Sequence, residues 1–286
     1  MMVGLLFGGG LLWWAGCLYG HRALLLAGGG SLGAASVEML ATGRVDPALV
    51  PVATYLSVLT FLIKNRFFAG GSGAAWAVYV LSVLALGFDL LLGSSFYPLN
   101  AGHSVVFFPA EKVVLMLVVP PLVLAPVTPE AATWMSCRPV WTFAALLVAT
   151  LAVLVPLTLL FDQATFGWTP LLPSAVVYAL AYNLVFVCVL EESFFRGILQ
   201  TALMLAARRR RWPSPDSLAL VGASLAFGAA HGGGGLSYAL LATLAGLGYG
   251  AVYYLTGRIQ WAVLLHFAVN AVHQLLMAGT PAAGPA

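Results

Sequence analysis

The chain alternates between long apolar runs and short polar or glycine- and proline-rich breaks. Apolar stretches occupy 3–19, 23–42, 47–63, 74–97, 106–127, 140–160, 171–190, 217–231, 236–256 and 260–277. Turn-like clusters separate most of them: Gly20-His21-Arg22, Gly43 to Pro47, Gly70 to Gly73, Pro98 to Gly102, and Pro126 to Pro129. About 20 apolar residues cross the hydrocarbon of a bilayer, so the pattern predicts about eight to ten membrane spans. The segment 106–127 departs from the rest. It holds Glu111, Lys112 and the pair Pro120-Pro121, which fits a kinked or re-entrant piece better than a plain span.

The runs are too long, and too free of strict alternation, for barrel strands. Backbone groups in lipid must be satisfied within the protein, which leaves an all-α, polytopic transmembrane helical bundle. Composition agrees: 62% of the 286 residues are hydrophobic and 7% are charged, with a mean hydropathy of +0.99. No Lys or Arg precedes the first apolar run, which argues against a secretory signal peptide. The glycine patches at Gly8 to Gly10 and Gly28 to Gly30 suit close helix packing.

The net charge of +3 says little, but its placement says more. With the N-terminus outside, the inner turns receive Arg22, Lys64, Arg66, Arg138, Arg208 to Arg211 and Arg258. The outer turns receive only Arg44, and Lys112 and Arg196 fall inside apolar segments. This asymmetry follows the positive-inside rule. The Arg208 to Arg211 run is expected to contact lipid headgroups or anchor the topology rather than bind nucleic acid. Cys17, Cys137 and Cys188 are scattered without a CxxC pair and suggest neither a disulfide framework nor a thiolate metal site.

Against this background, Glu191-Glu192-x-x-x-Arg196 stands out. Two acids and an arginine inside an apolar stretch are costly unless paired or used. Two further patterns follow, Phe227-x-x-x-His231 and His266-x-x-x-Asn270. Helical positions four apart share a face, so Glu192 meets Arg196, and His266 and Asn270 point the same way. An antiparallel hairpin of 192–207 and 217–230 around Arg208 to Asp216 would return Glu191 and His231 to nearly one height. His266 lies closer to its own turn at Arg258. The depths agree if the arginine-bearing hairpin projects about 10 Å past the membrane surface, with the site inside the bilayer nearer the inner face. A carboxylate and an imidazole can hold one water and take its proton as it attacks a carbonyl. An imidazole and an amide on one helix face can donate to the oxyanion that forms. Taken singly, each piece also fits a structural ion pair or an interhelical hydrogen bond. His21, His103 and His273 suit helix ends or loops and receive no role.

The three ordered patterns, Glu191-Glu192-x-x-Phe195-Arg196-Gly197, Phe227-x-x-x-His231 and His266-x-x-x-Asn270, resemble the CAAX protease and bacteriocin-processing family, also called abortive-infection-like. The resemblance covers roughly 140–278. It implies an intramembrane protease domain over 140–286, preceded by a transmembrane extension over 1–139 without a recognised motif. It further implies Glu191 as the base, His231 as its water-holding partner, His266 and Asn270 at the oxyanion, and Glu192, Arg196 and Phe227 in support. In this family the reaction is thought to need no metal or other cofactor. An older view makes the same residues zinc ligands, and Glu191, His231 and His266 would supply three; the zincin pattern HExxH is absent. The glycines Gly232 to Gly235 after His231 favour a loop or broken helix, which fits either the entry of an extended peptide or a plain turn between spans.

The expected activity is hydrolysis of a peptide bond near a terminus of a membrane-anchored protein or peptide. The expected setting is a lipid bilayer, in the form of a prokaryotic cytoplasmic membrane, with no nucleic-acid partner. Two other classes compete. A non-catalytic immunity or scaffold protein predicts erosion of the motif residues, which are all present. A transporter predicts acids spread over several spans, such as Glu38 and Asp89, together with internal symmetry.

Overall fold

The computed structural model describes residues 2–42, 46–64, 73–87, 96–101, 104–122, 139–161, 163–167 and 173–279. Arg44, Arg66, Asp89, His103, Cys137, Arg138 and the turn at 126–129 lie outside these. The protein is an all-α integral membrane bundle. Five helices are long and apolar enough to cross a bilayer, and four shorter apolar helices accompany them among the described residues. Large apolar side chains such as Leu26, Phe61, Leu81, Trp141 and Leu236 point outward. In water such a surface would be a liability; in lipid it is the solvated side.

The chain folds as two compact units, Met1–Val123 with Leu172–Leu190, and Leu124–Leu171 with Glu191–Ala286. This division follows packing, whereas the motif-based one at 139/140 follows chemistry, so the two need not coincide.

In the first unit, α1 (Met2–Tyr19) lies against α2 (Arg22–Ala41). Their approach is close because Gly28 has no side chain: an added Cβ would overlap the Trp13 backbone. Helices α3 (Leu49–Lys64) and α4 (Gly73–Gly87) follow. Of the segment 106–127, the described residues reach Leu122 and form no continuous helix. They divide into β2 (Ser104–Pro109), paired antiparallel with β1 (Phe96–Ala101), a short helix α5 (Glu111–Val118) and one 3₁₀ turn at Pro120–Leu122. Pro120 and Pro121 lack the N–H groups needed to continue the helix. The Tyr79 hydroxyl on α4 donates to the Val118 carbonyl at 2.9 Å, taking up an acceptor at the helix end.

In the second unit, α6 (Pro139–Leu160) precedes β3 (Ala164–Phe166), which pairs antiparallel with β4 (Met277–Gly279). Helix α7 (Val176–Arg209) begins in the first unit and enters the second at Glu191. It is followed by α8 (Pro215–Ala230), α9 (Leu236–Thr256) and α10 (Ile259–Leu276). The stops are chemical. Pro215 opens α8 at the position where a missing N–H costs nothing. Gly235, at φ 90° and ψ 171°, and Gly257, at φ 64°, bracket α9 in conformations that side chains oppose. Glycines on α8 and α9 bring the helices together. A Cβ at Gly228 would overlap Thr243, and one at Gly248 would overlap Thr150 of α6.

Candidate active site

All seven motif residues belong to the second unit. Glu191, Glu192 and Arg196 lie on α7, where the helix widens to π-helical turns over Ser193–Gln200. Such turns are uncommon and recur at functional sites. The Thr201 hydroxyl follows the wider spacing, donating to the Arg196 carbonyl at 2.9 Å. It also meets the Tyr253 hydroxyl at 3.0 Å, while Gln200 Nε2 donates to the Gly250 carbonyl at 3.2 Å. These bonds fasten the lower half of α7 to α9.

Beneath the site is a buried charge network. Arg196 Nε donates to Glu192 Oε2 at 3.0 Å, with both side chains fully buried. His266 Nδ1, on α10, donates to the other oxygen of the same carboxylate at 2.9 Å. Glu192 therefore ties α7 to α10 and holds the His266 ring in one orientation. Arg196 fits because α9 presents Gly246 and Gly250: Cβ atoms there would stand 3.3 Å from Nη2 and 3.4 Å from Nη1. Its guanidinium also lies 5.5 Å from the centre of the Phe227 ring.

Phe227 is the hub. Its ring meets Phe195 at 5.0 Å, His231 at 4.5 Å, His266 at 5.7 Å and Tyr249 at 5.9 Å. Tyr249 in turn stacks on His266 at 4.5 Å and 15°. The two imidazoles are thus set around one aromatic side chain.

The open end of the site is formed by Glu191 and His231, whose side chains are 27% and 23% exposed. His231 closes α8. Its backbone N–H turns to Gly228, and its ring Nδ1 donates to the Phe227 carbonyl at 2.8 Å. A carbonyl only accepts, so Nδ1 carries a hydrogen, and in the neutral form of the ring Nε2 presents a lone pair. That nitrogen faces Glu191 Oε2 across 3.9 Å, and Oε2, itself buried although the side chain is partly exposed, has no hydrogen-bond partner in the protein. Two acceptors so placed repel each other unless a donor stands between them. A water molecule about 2.8 Å from each would give a hydrogen to both, at an angle near roughly 90°. Its lone pairs would then face away from the pair, as an attacking nucleophile requires.

Residues 173–272 match the family described as type II CAAX prenyl endopeptidase, Rce1-like. The match covers about a third of the chain and supports a likeness to the CAAX protease family. The match supports a CAAX-type intramembrane protease in general terms. The matched region takes in Glu191, Glu192, Arg196, Phe227, His231, His266 and Asn270. Comparisons with curated proteins and with solved structures found no match.

Asn270 lies one turn beyond His266 on α10 and is half-buried. The glycine run forms a short, exposed 3₁₀ turn at Gly232–Gly234 between α8 and α9. His266 gives Nδ1 to Glu192 and His231 gives its own to Phe227, so neither bond uses Nε2. Among the described residues, no three His, Cys, Asp or Glu side chains cluster as a metal would need. Sequence reasoning missed Tyr249, Gly246 and Gly250, and also Tyr238, whose ring lies 5.8 Å from His231. The alternating glycines Gly246-x-Gly248-x-Gly250 were a signal of close approach on that helix.

Proposed function

We propose that the protein hydrolyses a peptide bond near a terminus of a membrane-anchored protein or peptide, using a water held by Glu191 and His231. The observation that carries this reading is the pair of facing acceptors, His231 Nε2 and Glu191 Oε2, 3.9 Å apart above a fully buried Glu192–Arg196 pair. The water donates one hydrogen to each acceptor, and its oxygen attacks the carbonyl carbon. Glu191 takes the proton as the C–O bond forms. The oxyanion accepts hydrogen bonds from Asn270 and from His266 Nε2. With Nδ1 already given to Glu192, His266 donates a second time only as an imidazolium, so the oxyanion role requires that form. Glu191 then returns its proton to the leaving amine as the C–N bond breaks, giving a carboxylic acid and an amine. Glu192 and Arg196 act through the residues they hold in place. We place the protease chemistry in 140–286 and the protein in a prokaryotic cytoplasmic membrane, with no cofactor.

The test compares membrane-proteome termini in cells making the wild-type protein or Glu191→Gln at matched levels. The swap keeps size and polarity but removes the base. New termini that depend on Glu191 name the substrate and support hydrolysis; identical termini, with Glu191→Gln still rescuing a null strain, point to a scaffold.

A further inference from the structure

The end of α7 and the turn into α8 carry four consecutive arginines, Arg208 to Arg211, of which the catalytic reading uses none. Arg208 is already engaged. Its Nε and Nη2 donate to the two Asp216 oxygens at 2.8 and 2.9 Å, and the Tyr254 hydroxyl adds a third bond to Asp216 at 3.3 Å. This clamp fastens the base of the hairpin to α9. Arg209, Arg210 and Arg211 are exposed, and among the described residues no carboxylate pairs with them. Trp212, 49% exposed, lies beside them, and the Arg210 guanidinium is 5.8 Å from the centre of its ring. Stacking over an aromatic face leaves the N–H edge of a guanidinium free for an anion.

The depth of this turn follows from a second observation. On α8, Leu218, Val221 and Leu225 are exposed at spacings of three and four, and on α7 Leu203 and Leu205 are exposed as well. These are acyl-chain-facing surfaces, and on α8 they reach to within one helical turn of Asp216. Helical rise gives the same answer. Phe227 and Tyr249 are in ring contact. From Phe227 down to Asp216 is about 16 Å, and from Tyr249 down to Gly257 about 12 Å. The hairpin therefore extends roughly 5 Å beyond the neighbouring turn, about half the projection expected from the sequence. The arginines stand at the edge of the hydrocarbon, where phospholipid phosphates lie and where tryptophan is favoured.

We propose that Arg209–Trp212 binds the phosphate headgroup of an anionic phospholipid. Three cations with no acid among them favour a headgroup with net negative charge over one whose phosphate is cancelled by its own ammonium. Guanidinium also matches phosphate with two parallel N–H donors. Each basic residue near an anionic surface is worth about a fivefold preference. The proposal rests on the membrane-spanning fold and is independent of the protease reading.

The test titrates the full-length protein in micelles with phosphatidylglycerol or phosphatidylcholine and counts bound lipid by native mass spectrometry. The wild type is expected to prefer phosphatidylglycerol at least tenfold. Arg209→Gln/Arg210→Gln/Arg211→Gln should erase that preference and leave phosphatidylcholine binding unchanged, whereas the triple lysine variant should retain most of it. A glutamine variant that still prefers phosphatidylglycerol, or a wild type with no preference, overturns the proposal. Displacement of phosphatidylglycerol by inorganic phosphate alone would assign the turn to a free anion and overturn it equally. Should the glutamine variant fail to fold, the wild-type preference and its retention in the lysine variant still decide the matter.

Discussion

Replacing Arg196 by Met should weaken the fold through Glu192. The two side chains are fully buried, 3.0 Å apart. Unit charges at that distance attract by about 5 kcal/mol at an effective dielectric of about 20. Breaking a buried pair on one side costs about 3–5 kcal/mol, because the remaining charge is stranded. His266 still gives Glu192 a charge-assisted bond at 2.9 Å, worth about 1.5–3 kcal/mol, so the loss should fall near the lower end, about 3 kcal/mol. Methionine is unbranched and fills part of the space beside Gly246 and Gly250, which keeps the cavity contribution small. Adding Glu192→Gln removes the stranded charge and should restore about 2 kcal/mol, the sign of a coupled pair. Glu191→Gln, half-exposed and with no protein partner at Oε2, should shift stability by no more than about 0.5 kcal/mol. Reversible unfolding in mixed micelles with rising dodecyl sulfate, followed by circular dichroism, reads all four proteins. If Arg196→Met unfolds with the wild type, or the double variant is less stable than the single, the network under the site does not carry the load assigned to it.

Other substitutions separate chemistry from packing. Asn270→Ala should lower kcat by about 10²–10³, as loss of one oxyanion donor does; steady-state kinetics on a cleaved peptide checks it. Gly228→Leu should destabilise by about 3 kcal/mol or more, since even a Cβ overlaps Thr243 and the Ala239 carbonyl; the same unfolding assay applies, and Thr243→Ala should recover part of the loss. Arg208→Gln should cost at most about 1 kcal/mol, because the Arg208–Asp216 pair is partly exposed at 34% and 22%.

Much of the helical frame was legible because its punctuation is local. The expected span 236–256 is Leu236–Thr256 in the structure, set by Gly235 and Gly257 at positive φ. The expected span 171–190 was cut short by the acids at Glu191 and Glu192. The helix instead runs on to Arg209, since those acids are either paired in the interior or turned to the open end. Its π-helical turns have no signature in hydropathy. Strands β1 and β2 were also hidden: Phe96-Tyr97 and Val106 to Pro109 fall in apolar runs that read as helix, and Pro98 to Gly102 between them reads as a turn. At the site, the pairing of Glu192 with Arg196 could be read from a spacing of four. The bond from His266 to Glu192 joins residues 74 apart, and no local pattern announces it. Tyr249 was unreadable for a similar reason: an aromatic residue in an apolar helix looks the same whether it faces lipid or stacks on a histidine.

Glu191 carries the proposed chemistry and Glu192 the architecture, and one comparison tests that division. Purified wild-type, Glu191→Gln and Glu192→Gln proteins would be assayed in micelles for cleavage of a membrane-anchored peptide, alongside their unfolding transitions. The account predicts that Glu191→Gln loses at least about 10²-fold in kcat with its fold intact, while Glu192→Gln unfolds more readily than the wild type. Cleavage by Glu191→Gln at the wild-type rate would contradict it.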